Sequence, residues 1–160
     1  MYTYSIKILS EKTFDFSSGE IYLVQSKFDL NKKDHFNSSD ALYLNYPFDE
    51  ARKIVPFFES LGVSRQGRIV KSIQENYGYK IRTDDAFGKL VVVLFFNIEL
   101  YDLLIVGLVG LGDNSINALI EIVKKLIAKE KVKTIILTKT SPELDEPVYV
   151  TKLSNGDYIK

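Results

Sequence analysis

The stretch KLVVVLFFNIELYDLLIVGLVGLGDNSINALIEIVKKLIAKEKVKTIIL, residues 89–137, decides the fold. Its centre, Leu90 to Leu111, is rich in Val, Leu, Ile and Phe. It is long enough to cross a bilayer, but Asn97, Glu99 and Asp102 interrupt it. Two buried strands, 89–96 and 101–109, joined by a polar turn, account for it better. A loop from Gly110 to Asn114 follows. The helix from Ser115 to about Lys131 has one apolar face made by Ile116, Leu119, Ile120, Val123, Leu126 and Ile127. Lys124, Lys125, Lys129 and Lys131 lie toward its C-terminal end, where the macrodipole favours cations. Residues 134–138 then read as a buried strand.

SPELDEP (141–147) is a Pro-bounded acidic loop before a strand at Val148–Leu153. Asn155-Gly156 signals a hairpin ahead of a short strand, Tyr158–Lys160. Upstream, Ile69, Val70, Ile73 and Tyr77 recur at helical spacing, and Gly78 stops that helix. Residues 79–83 alternate as a strand does. Residues 3–9 do the same, and 20–24 and 27–30 read as further strands. Ser39 or Asp40 is placed to cap a short helix with Ala41, Leu42 and Leu44. Asp49 opens another helix that Gly62 closes. The reading is an α+β protein: a small N-terminal α/β domain over 1–62 and a mixed-sheet domain flanked by helices over 63–160.

Composition narrows the function. The 160 residues hold 21 Lys+Arg, 21 Asp+Glu, one His and no Cys. That excludes disulfides, thiolate metal sites and thiol nucleophiles. Zero net charge argues against holding nucleic acid by bulk electrostatics alone. The start, MYTYSIKILSEKTF, lacks a basic region followed by a long apolar run, so no export signal and a cytoplasmic location are expected.

Few residues suggest chemistry. His35 sits in a polar loop beside Asp34, with no positioned partner for general-base work. Glu99 with Asp102, and Asp84 with Asp85, read as turn acids, and no metal site is expected. Gly107, Gly110 and Gly112 before a helix suggest a phosphate loop, but the ordered glycine spacing and the lysine of a P-loop are missing. The lysine-rich helix end reads as a solvated face. Glu143, Asp145 and Glu146, fenced by Pro142 and Pro147, stand out as fixed negative charge on a restricted loop.

From about residue 65 onward the chain resembles the C-terminal domain of the archaeal tRNA-splicing endonucleases. The resemblance lies in RIVKSIQENYGYKIRTDDAFGKLVVVLFF, then YDLLIVGLV, then SINALIEIVKKLIAKEKVKTIIL, then SPELDEPVYVTKL. It implies the order helix, Gly-Tyr strand, Phe-Gly turn, long apolar strand, second strand, helix, strand, acidic loop, strand, and an endonuclease-like fold. It also implies metal-free RNA cleavage by a Tyr base, a His acid and a charge-stabilising Lys. The Tyr position falls near Leu94, where no Tyr stands, and the His position near Leu100, where no His stands; Lys133 stands at the Lys position. The pattern is similar to that of the family's structural subunit. The resemblance implies a chain without catalysis of its own and without a cofactor, in a heterotetramer with a catalytic subunit that acts on precursor tRNA. It places a partner-docking loop at Glu143, Leu144, Asp145 and Glu146. It places a subunit-interface strand at Val148, Tyr149, Val150 and Thr151. An alternative is an acetyl-coenzyme A-dependent N-acyltransferase, suggested by the unit spanning 101–138, although Asp113 would repel a pyrophosphate there. A metal-dependent nuclease using Glu99 or Asp102 with Lys133 is a third reading.

Overall fold

The structure is a computed structural model. It describes residues 2–10, 12–28, 30, 36–37, 41–44, 60, 62–77, 86–97, 101–108, 111–129 and 133–153. The expected strands at 79–83 and 158–160, the helix from Asp49, and His35, Asp84, Asp85, Glu99, Leu100 and Gly110 lie outside them.

In chain order the elements are β1 (Thr3–Ile8), β2 (Lys12–Ser17), β3 (Ile21–Ser26), β4 (Phe36–Asn37) and β5 (Ala41–Leu44). Then come α1 (Val63–Tyr77), α2 (Ala86–Asn97), β6 (Leu103–Gly107), α3 (Asp113–Lys129), β7 (Thr134–Thr140) and β8 (Val148–Leu153). The class is α+β, with a mixed five-stranded sheet ordered β5-β6-β7-β3-β8 and a three-stranded sheet ordered β2-β1-β4.

The large sheet follows from its sequence. In β6, Leu103–Val106 are buried, and so are Thr134–Thr138 in β7. Side chains that alternate across the pleat must therefore be covered on both faces. On one face Ile21, Leu23, Leu104, Val106, Ile135 and Leu137 meet α2 and α3 through Leu90, Leu94, Ile116, Leu119 and Ile120. On the other, Tyr22, Val24, Leu103, Ile105 and Ile136 meet Ile6, Ile8, Phe16 and Phe36 of the small sheet. The layers are thus helices, five strands, three strands. α1 packs outermost, its Ile73 against Val91 and Val92 of α2 and Ile122 of α3.

Several sequence expectations are corrected. Residues 89–96 belong to a helix, α2, not a strand. An apolar run of strand formers does not by itself distinguish a buried strand from a buried helix. Here Leu90 and Leu94 face the sheet while Val91 and Val92 face α1 and α3. A helix covered on both sides carries apolar residues around its circumference. Residues 41–44 form β5, parallel to β6, not a capped helix. The strand expected at 20–24 is present as Ile21–Ser26, whereas Lys27, Phe28 and Leu30 belong to no strand. The sheet also does not respect the boundary expected at 62/63. β3 lies between β7 and β8, and β5 lies beside β6, so segments 1–62 and 63–160 build one sheet together.

Candidate functional site

β3 runs parallel to β7 and antiparallel to β8. The loop joining β7 to β8 must therefore cross the carboxyl end of β3. This puts SPELDEP at one end of the sheet and fixes how it is held. At its start, Ser141 N donates to the Ser26 carbonyl at 2.7 Å. At its end, Lys27 N donates to the Pro147 carbonyl at 3.0 Å. Between them, Leu144 N donates to the Ser141 carbonyl at 3.2 Å, closing a turn with Pro142 at its second position, where a preset φ suits it. Gln25 Nε2 donates to Ser141 Oγ at 3.3 Å, and Phe28 N to Ser26 Oγ at 3.0 Å. Ser26 and Ser141 are buried.

The charges stay outside this framework. Glu143, Asp145 and Glu146 are exposed, and Leu144 is half-buried. Three carboxylates are thus presented on a segment tied at both ends, which reduces the ordering cost of binding a cation-bearing partner. β8 leaves the loop along the sheet's edge. Val148 and Leu153 anchor it in the core, Val150 and Thr151 are half-buried, and Tyr149 is 54% exposed. Among the described residues no strand pairs with its outer side. Phe28, just past the staple at Lys27, is 56% exposed. The sequence signals the acids and the strand. It does not signal Ser26, Lys27, Phe28 or Ser141, whose roles arise only because β3 is inserted between β7 and β8.

The other expected positions lie elsewhere. Leu94 is 2% exposed in α2 and belongs to the core, so it lines no surface. Lys133 precedes β7, and the seven residues of β7 separate it from the acidic loop by about 23 Å. Its side chain is 10% exposed, and Nζ lies 2.9 Å from Asp102 Oδ1, on a carboxylate that is 66% exposed. Backbone bonds hold both residues in place: Thr134 N donates to the Asp102 carbonyl, and Gly19 N to the Lys133 carbonyl. Lys133 thus fastens the amino ends of β6 and β7. Asp102 meets the Lys133 ammonium, and among the described residues no group of three or more His, Asp or Glu is placed to hold a metal.

The β6–α3–β7 unit is a parallel crossover, as the acyltransferase reading requires. Among the described residues of its loop, several backbone amides are already engaged. Leu108 N bonds the Thr138 carbonyl, Leu111 N bonds the Leu108 carbonyl, and Ile116 N bonds the Gly112 carbonyl. Asp113 occupies the first turn of α3, where an anion would otherwise sit. No family model and no curated protein sequence matches the chain. No helix among the described residues is long and apolar enough to cross a membrane.

Proposed function

We propose that this chain is a non-catalytic, protein-binding subunit whose partner seats on the acidic loop and on the outer side of β8. The observation that supports this most is the double staple of SPELDEP to the carboxyl end of β3, which holds three exposed carboxylates beside a sheet edge with which no described strand pairs. An edge strand offers backbone groups for a further strand, and side-chain charge then selects register and partner. The partner therefore carries a basic surface next to a strand or an extended segment.

In its specific form the assembly is a tRNA-splicing endonuclease, in which this chain positions a catalytic subunit on precursor tRNA. That form draws on the sequence resemblance and on the absence of the Tyr and His that cleavage needs. The element order does not support it throughout, because Ala86–Asn97 is a helix where that family's order has its long strand. The general reading stands on the loop and edge alone. The experiment is co-expression with a catalytic chain bearing the Tyr, His and Lys. The proposal expects a co-eluting complex that cuts precursor tRNA, while this chain alone leaves precursor tRNA intact. Metal-free cutting by the isolated chain would refute the non-catalytic role. Failure to co-elute removes the splicing assembly.

A further inference from the structure

α1 departs from two local rules at once on its exposed side. Cations are disfavoured in the first turn of a helix, yet Arg65 stands there with no acid beside it, and Arg68 follows in the second turn. Glycine weakens a helix interior, yet Gly67 sits between those arginines, where a Cβ would meet nothing within 4 Å. The chain thus gains no packing of its own from Gly67. Positions 64, 67, 68 and 71 follow the i, i+3, i+4, i+7 spacing of one helix face, and all four are exposed. Ile69, Val70 and Ile73 occupy the other side, docked on α2 and α3. The outer face is therefore a low saddle of Ser64 and Gly67, flanked by Arg68 and Lys71, with Arg65 at its margin. Among the described residues neither Arg65 nor Arg68 lies within 4 Å of a carboxylate; Lys71 is 3.8 Å from Glu75, with both side chains exposed.

Departures from local helix rules with no gain visible among the described residues point to a use outside the fold. We propose that this face of α1 binds the phosphate backbone of a nucleic acid, with Arg65, Arg68 and Lys71 each meeting a phosphate and Gly67 admitting the strand close to the helix. Arg presents a planar fork that matches phosphate oxygens in two bonds at once. Three cations make a local site, which is compatible with a chain of zero net charge. The contacts carry no sequence preference, because phosphate is common to every nucleotide. The inference is independent of the partner on β8.

The test is fluorescence anisotropy of the full chain with a labelled single-stranded RNA of about twenty nucleotides, and with a duplex DNA of similar length as a second arm. Three phosphate contacts give a slope of log affinity against log salt of roughly −2 on a single strand. Affinity should then fall roughly twentyfold between about 50 and about 200 mM salt. R65A/R68A/K71A should bind about tenfold more weakly at the lower salt and lose most of the slope. Gly67→Leu keeps every charge and improves helix propensity, so it folds. It should also weaken binding, by filling the saddle. Circular dichroism checks that both variants stay folded. No binding of either nucleic acid at the lower salt overturns the proposal, as does wild-type affinity in either variant.

Discussion

Replacing Lys133 in two ways separates its packing from its charge. Lys133→Ala removes three methylenes and the ammonium from a side chain that is 10% exposed. At about 0.8 kcal/mol per buried methylene, the lost burial comes to about 2.4 kcal/mol. Lys133→Met keeps a chain of similar length and removes only the ammonium. The ion pair then lost is with a carboxylate that is 66% exposed, so water takes over the solvation of Asp102. Pairs with an exposed partner contribute about 0.2–1 kcal/mol, and no buried charge is stranded. Lys133→Ala should therefore cost about 2–3 kcal/mol and Lys133→Met about 1 kcal/mol or less. Urea unfolding of the three proteins, compared at midpoint with unchanged slope, measures both. If Lys133→Met costs as much as Lys133→Ala, the charge and not the stem holds this corner, and the reasoning fails. If Lys133→Ala is neutral, the stem does not pack.

Three further outcomes are expected from the same measurement. Leu94→Ala, in a helix rather than a strand but wholly within the core, should cost about 2–5 kcal/mol. Ser10, at φ 56° in the β1–β2 turn and exposed, holds a left-handed conformation that glycine adopts freely, so Ser10→Gly should stabilise by about 1 kcal/mol. Gly67→Ala, on the open side of α1, should stabilise by about 1 kcal/mol, and a loss instead would mean that the helix is distorted there.

The elements legible in the sequence are those whose pattern is local. α3 shows its apolar face at helical spacing, and β6, β7 and β8 show short runs of strand formers between turn signals. The misread ones depend on the rest of the fold. α2 and a buried strand have the same composition, and only the layers around Leu90–Leu94 decide between them. β5 has a capping residue before it and reads as a helix, but a partner strand at Leu103–Val106 gives its backbone a ladder. β2, KTFDFS, mixes polar residues with two Phe; its pairing with β1 becomes visible only in the hairpin register. The candidate site divides in the same way. The acids between two prolines can be read directly. The staples cannot, since Ser26 and Ser141 are over a hundred positions apart and meet only because β3 lies between β7 and β8.

The claim that a protein partner seats on the acidic loop is tested most directly by light scattering on co-expressed chains, with this chain as wild type and as E143Q/D145N/E146Q. All three side chains are exposed, so the substitutions should leave the fold intact. The account predicts a heteromeric complex for the wild type, and for the variant a separate species at its own mass of 18.3 kDa. An unchanged complex with the variant would contradict it.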